Sequence, residues 1–120
     1  MLIQYCRNKP YFAHSKFRSS SKLDEKDLLY INKVGLDKIK EHAFEFISKR
    51  LAPAKPYKDG KQTPYSGHPV FKAQHALGFC CRSCLNKWWK IERNRQLNLE
   101  EMNQITEIII GWIKENINTN

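Results

Sequence analysis

The chain has 120 residues, 41% of them hydrophobic, and a formal net charge of +9, which together indicate one basic globular domain with a modest core. No apolar run approaches the roughly 18 residues that a membrane-spanning helix needs. The first ten residues contain no apolar stretch followed by a small-residue cleavage site, so we predict a cytoplasmic protein without a signal peptide.

The first predicted element is an N-terminal arm at residues 1–20, followed by a single helical domain at residues 21–120. The arm shows no helical or alternating period, although its aromatic residues suggest that part of it packs on the domain. Asp24 is the predicted N-cap of the first helix, with Asp27 in the first turn, where a negative charge is favourable. Gly35 is the predicted end of this helix.

The second predicted helix begins at Asp37 and ends at Leu51, because apolar residues recur in it at steps of three and four. Pro53 and Pro56 prevent it from continuing. His42 lies beside the apolar stripe and is predicted to be a boundary residue rather than a ligand. Residues 57–67 are rich in turn-forming residues and are predicted to form a surface loop.

Three further helices are predicted in the second half of the chain. A short one at residues 70–76 is interrupted at Gly78, and another covers residues 81–91. The last begins at Asn98, with Glu101 completing a capping box. Its predicted buried stripe consists of Leu99, Met102, Ile105, Ile109, Trp112 and Ile113. No segment alternates as a strand does, so we predict a mainly α, small single-domain helical fold with a Cys/His-rich metal-binding segment at residues 67–91.

The Cys/His segment combines Cys80, Cys81 and Cys84 with His68 and His75. Thiolate sulfur and imidazole nitrogen are the ligands that zinc prefers, so the pattern predicts a zinc site, with an iron–sulfur cluster as the alternative. Cys81 and Cys84 have the two-residue gap of a metal knuckle, whereas Cys80 and Cys84 would share one face of a helix. The spacing therefore leaves the ligand set open: two or three of the cysteines, completed by His75 and His68.

Two other interpretations of the same residues remain. The cysteines can be small buried hydrophobic residues, or one can be a nucleophilic thiolate activated by His75 or His68. The chain contains no phosphate-binding or dinucleotide-binding glycine motif and no paired carboxylates. We therefore assign no catalytic residues from the sequence.

Basic residues surround the Cys/His segment. Residues 1–67 and 68–97 have net charges of +7 and +5, whereas residues 98–120 have −3. Basic residues interleaved with aromatic ones bind phosphates and stack bases, so a surface for nucleic acid or a nucleoprotein is predicted. The alternative is a solvated basic surface that keeps the protein soluble. The predicted contact residues are Arg82, Lys87, Trp88, Lys90, Arg93 and Arg95.

Several motifs together resemble one known family. They are S-K-F-R-S at residues 15–19, K-R-L-A-P-A at 49–54, D-G-K-Q-T-P at 59–64, G-H-P-V-F-K-A-Q-H-A at 67–76 and C-C-R-S-C-L-N-K-W at 80–88. The chain resembles, over residues 15–114, a group of short bacterial and phage proteins catalogued only as a domain of unknown function. The residues that match its pattern are His68, Gln74, His75, Cys80, Cys81, Arg82, Cys84, Lys87 and Trp88.

The resemblance implies no activity. The chain departs from the family pattern at Trp89, where members often have histidine. Cys6 and His14 fall outside it. The occurrence of the family in phage implies a further alternative, an inhibitor or adaptor that docks on a host protein and uses the metal only for structure.

Overall fold

The computed structural model describes residues 22–119, with side chains described as far as residue 117. This part of the chain contains helices and no strand, which confirms the predicted mainly α fold. The predicted arm at residues 1–20 lies outside the described residues. The helices are α1 (Glu25–Val34), α2 (Leu36–Phe46) with a π-helical continuation (Ile47–Leu51), α3 (Pro69–Leu77), α4 (Arg82–Trp89) and α5 (Leu99–Thr119).

The start of α1 is fixed by a reciprocal capping box. The Asp24 side chain accepts a hydrogen bond from the Asp27 amide, and the Asp27 side chain accepts one from the Asp24 amide, both at 2.9 Å. Lys72 of α3 donates to both carboxylates, at 2.9 and 2.6 Å, so the same cap ties α1 to α3. The helix ends at Gly35, whose φ of 86° is in the region that favours glycine. The predicted start and end of α1 are therefore confirmed.

Helix α2 begins one residue before the predicted Asp37 and widens at its end into a π-helical turn. The Ala52 amide donates to the Ile47 carbonyl at 2.8 Å, a five-residue step that marks the wider helix. Ile39, Ala43 and Ile47 are buried as the spacing predicted. The π turn was not predicted, and it delivers the carbonyl groups of residues 51–53 to a buried arginine described below.

Helix α5 packs against α2 and α3 and contributes Ile105, Ile109, Ile110, Trp112 and Ile113 to the buried core. The Glu101 amide donates to Asn98 Oδ1 at 2.8 Å, and the Asn98 amide donates to Glu101 Oε1 at 3.0 Å, which confirms the predicted capping box. Trp112 is buried, as the helical period predicted. Leu99 is 61% exposed, so its prediction as a core residue was wrong: it is the first residue of α5, ahead of the buried members, which start at Ile105.

Within residues 22–119, no helix combines the length and the apolar character that crossing a membrane requires.

Candidate metal centre

Three cysteines meet at the beginning of α4. The Sγ atoms of Cys80, Cys81 and Cys84 all lie within 4.8 Å of one another. Cys80 and Cys81 are buried, and Cys84 is partly exposed. In a tetrahedral zinc site, bonds of about 2.3 Å place two sulfur ligands about 3.8 Å apart. The observed grouping therefore needs only a small contraction to hold one ion.

Side chains from two other segments hold the turn that positions these cysteines. Gln74 Nε2 donates to the Phe79 carbonyl at 3.0 Å, and Thr63 Oγ1 donates to the Cys80 carbonyl at 2.8 Å. Gly78 precedes them in the left-handed conformation, with φ 78°, and so ends α3. Because both carbonyl groups before Cys81 are hydrogen-bonded by buried side chains, the backbone of the turn is fixed before any ligand binds.

Cys81 is also the N-cap of α4, since its Sγ accepts the Cys84 amide at 3.5 Å. The positive end of the helix dipole stabilises an anionic sulfur at this position. Asp59 lies at the same helix terminus, where its Oδ1 accepts the Arg82 amide at 3.0 Å. Arg93 pairs with the other oxygen of Asp59 at 3.4 Å and offsets part of its charge. The start of α4 therefore places thiol groups among polarised backbone amides.

His75 is buried in α3 and is oriented by a hydrogen bond to the loop. Its Nε2 lies 3.0 Å from the Thr63 carbonyl oxygen, which can only accept, so Nε2 bears the proton and Nδ1 bears the lone pair. The ring is stacked on Tyr65, with centroids 4.3 Å apart. Metal-binding histidines typically donate their second N–H to a carbonyl in this way. His75 is outside the group of three sulfurs, but Thr63 bonds both to it and to the Cys80 backbone.

His68 is engaged elsewhere. It is the N-cap of α3, and its Nδ1 accepts the Val70 amide at 3.1 Å. The ring proton is therefore on Nε2, which lies 3.0 Å from Nδ1 of His42. Both nitrogens of His68 have partners, and the structure does not bring it into the cysteine group. The sequence does not predict the pairing with His42, because no motif links residues that are 26 positions apart.

Arg82 lies inside the protein rather than on a basic surface. Its side chain is 1% exposed. Nη1 donates to the carbonyl oxygens of Pro53 at 3.0 Å and Arg95 at 2.9 Å, and Nη2 donates to that of Glu92 at 2.6 Å. A guanidinium buried in this way cannot reach a phosphate. The predicted role of Arg82 in binding nucleic acid is therefore replaced by a structural one, in which it joins the end of the π turn to the segment before α5.

The other two arginines of the predicted surface form ion pairs. Arg95 makes a two-pronged contact with Glu101, at 2.9 and 2.8 Å, and this hydrogen bonding lowers the pKa of Glu101. Arg93 remains exposed beside Asp59. Both cations are therefore partly neutralised within the protein, although Arg93 retains an accessible side chain.

The lysines and tryptophans of α4 divide between surface and core. Lys87 and Lys90 are exposed, and Lys87 Nζ lies 5.2 Å from the ring centre of Trp88. Trp88 is half-buried, and its ring covers Gly78 so closely that a Cβ there would lie 3.0 Å from it. Trp89 is buried and donates its indole N–H to the Leu77 carbonyl at 2.7 Å. One tryptophan therefore packs in the core, and the other remains partly accessible beside a lysine.

The sequence of the chain matches one family along most of its length. A model of the family described as a domain of unknown function, DUF4186, matches residues 9–114. The match begins earlier than the resemblance at residues 15–114, so His14 falls within it and Cys6 does not; both lie outside the described residues. No solved structure matches the chain.

Proposed function

The chain belongs to the DUF4186 family, a domain of unknown function, and we propose that it is a metal-binding protein with a site formed by Cys80, Cys81 and Cys84. The observation that supports this most directly is the convergence of three sulfur atoms within 4.8 Å. Cysteines that only fill a core need not direct their sulfur atoms to a common point. Three thiols on a backbone fixed by Thr63 and Gln74 favour a soft metal ion.

The fourth ligand in this proposal is Nδ1 of His75. The hydrogen bond from Nε2 to Thr63 leaves the lone pair on Nδ1, which is the atom a metal would need. His68 is left out, because metal binding through Nε2 would require that nitrogen to lose its proton while Nδ1 accepts the Val70 amide. Three thiolates and one imidazole form a common structural zinc site, whereas iron–sulfur clusters are usually held by four cysteines.

A site with four protein ligands points to a structural role. Catalytic zinc sites keep one position for water or substrate, and a set of three cysteines and His75 leaves none. Metal binding would then contribute to folding, since the unfolded chain has no preformed site. It would connect α3, through His75, to the start of α4. The alternative of a Cys/His enzyme would instead need a reactive thiol that is not occupied by metal.

We expect protein purified without added metal to contain one zinc ion per chain, measured by elemental analysis. Chelation should lower the melting temperature, and Cys84→Ser should do so even when zinc is supplied. His75→Ala should weaken zinc binding by roughly tenfold or more, because it removes one ligand. His42→Ala is the matched control, since it changes a histidine outside the site, and it should leave the zinc content unchanged.

Three thiols that react freely in the folded protein, with no bound metal, would contradict the site. Normal zinc affinity in His75→Ala, together with a loss in Cys84→Ser, would reject His75 while retaining the cysteines. Catalytic turnover that disappears in Cys84→Ser while the fold is intact would favour the enzyme alternative.

As a second candidate function, we propose contact with nucleic acid through the exposed side of α4 and the residues that directly follow it. The net charge of +9 and the exposure of Lys87, Lys90 and Arg93 support it. Trp88 lies beside Lys87 and adds aromatic surface to the same region. The alternative partner is a host protein, on which the chain would dock as an inhibitor or adaptor of phage type.

Nucleic-acid affinity should fall steeply as salt is raised, because released counterions supply much of the binding free energy. Each phosphate contact contributes a slope of about −0.9 in a plot of log affinity against log salt. Changing Lys87, Lys90 and Arg93 to glutamate should weaken binding and flatten that slope, with the melting temperature showing that the protein is still folded. Binding that is insensitive to salt and to these changes would favour the alternative, docking on a host protein. A stoichiometric complex with a protein would favour it as well.

A further inference from the structure

The loop between the π turn and α3 presents Tyr57 next to a lysine and in the same segment as two others. Tyr57 is 83% exposed, which makes it the most exposed large hydrophobic residue in the described part of the chain. Lys55, Lys58 and Lys61 of the same loop are exposed, and Lys58 Nζ lies 5.4 Å from the centre of the Tyr57 ring. This cluster, the 55–61 loop, was not among the residues predicted to bind nucleic acid.

The 55–61 loop is anchored to the rest of the fold. Asp59 Oδ1 accepts hydrogen bonds from Gln62 Nε2 at 2.9 Å and from the Arg82 amide at 3.0 Å. Gly60, with φ 100°, donates its amide to Gln62 Oε1 at 2.7 Å. These bonds join the loop to the start of α4, so Tyr57 is presented from a fixed support. Less conformational freedom is then lost when a ligand binds.

We propose that the 55–61 loop binds single-stranded nucleic acid, with Tyr57 stacking on an unpaired base and the three lysines contacting phosphates. This inference rests on the proposed nucleic-acid binding: it adds a second contact surface to that of α4 and names the kind of nucleic acid. An exposed tyrosine can stack on any unpaired base, and lysines along the backbone add sequence-independent attraction. In a duplex the bases are already stacked on one another, so Tyr57 gains no partner there.

Two of the arginines first predicted to bind nucleic acid are engaged within the described part of the protein, whereas the lysines of this loop are not. Arg82 is used internally, and Arg95 is paired with Glu101. Lys55, Lys58 and Lys61, by contrast, form no ion pair with any described residue. Arg93 bonds to Asp59 within the loop and therefore borders it. The loop thus combines free positive charge with the most accessible aromatic ring.

The test measures the affinity of the full chain for a short fluorescent oligothymidine and for a duplex of equal length by fluorescence anisotropy. Tyr57→Ala should weaken single-strand binding by about 5- to 150-fold, the loss that corresponds to one stacked base. Tyr57→Phe should retain it, because stacking needs the ring and not the hydroxyl. Neither change should alter binding to the duplex.

A matched pair of triple variants distinguishes binding by the 55–61 loop from an effect of the overall charge of the protein. Replacing Lys55, Lys58 and Lys61 by glutamine should weaken binding more than the same replacement of three exposed lysines outside the loop, Lys26, Lys33 and Lys114. Both variants lose three positive charges. Single-strand binding that is equally affected by both, and unaffected by Tyr57→Ala, would overturn the inference while nucleic-acid binding stands. Absence of binding to either oligonucleotide would overturn both proposals.

Discussion

Replacing Arg82 by methionine is expected to lower the free energy of unfolding by about 3–5 kcal/mol, because it leaves several backbone carbonyl oxygens without their donor. The methionine fills a similar volume but cannot donate to the carbonyl groups of Pro53, Glu92 and Arg95. Each buried acceptor left without a donor costs about 1–3 kcal/mol. The change therefore weakens the contact between the π turn and the segment before α5.

Lysine should be a poor substitute at the same position. Arg82 bonds in two directions, with Nη1 contacting Pro53 and Arg95 and Nη2 contacting Glu92. A single ammonium group has no planar fork with which to reach both sides. Burial, and after it the charge of Arg95, lowers the pKa of Arg82, so the carbonyl oxygens are needed to stabilise the cation. Arg82→Lys should therefore be less stable than the wild type.

Urea denaturation at pH 7 would measure these differences, with an unchanged dependence on denaturant as evidence that the same transition is observed. Arg93→Met is the matched control. The Arg93 side chain is 51% exposed and pairs only at the surface, so its loss should cost less than about 1 kcal/mol. A loss of that small size in Arg82→Met would contradict the structural role.

The helices were predictable where their signals are local. The capping boxes of Asp24 with Asp27 and of Asn98 with Glu101 join residues three positions apart, so the sequence contains all of the necessary information. Gly35 ended α1 for the same kind of reason, since its φ of 86° suits glycine. The cysteine group is likewise local, because three cysteines around one tight turn can hardly avoid one another.

The burial of Arg82 was not predictable in this way. Its partners lie 10 to 31 positions away, and they are backbone groups, which every residue possesses. The π turn that directs some of them toward it depends on packing rather than on a motif. Arginine is mostly a surface residue, so composition alone favours the wrong location.

The different roles of the two histidines in the Cys/His segment were likewise not predictable from the sequence. Both lie near cysteines in sequence, and the spacing gave no reason to separate their roles. The packing of α2 on α3 brings His68 to His42, whereas the loop brings the Thr63 carbonyl to His75. Only the partners of the ring nitrogens distinguish the histidine that can bind a metal from the one that caps a helix.

The free energy of unfolding should depend on pH, because folding changes the pKa of His68. Its ring is buried against Tyr30 and Phe46, with centroids 5.3 and 5.2 Å away, and Nε2 faces His42. Burial, and after it the charge of His42, lowers the pKa of His68 to about 4. In the unfolded chain the pKa of a histidine is about 6.5. Between these values the unfolded state binds more protons, so stability is full above pH 6.5 and falls as the pH is lowered toward 4.

Between pH 7.5 and pH 4, protonation of His68 is expected to lower the free energy of unfolding by about 3 kcal/mol. Each unit of pKa difference between the folded and unfolded states contributes about 1.4 kcal/mol. His68→Asn is the variant that isolates it, because asparagine is among the best N-cap residues and has no proton to bind in this range. The variant should be less stable at pH 7.5, since the ring packing is lost, but its stability should decline less on acidification. Denaturation curves at several pH values would measure both effects, and contributions from any bound metal are common to the two proteins. Parallel curves of stability against pH for wild type and His68→Asn would show that the buried ring does not control the acid sensitivity.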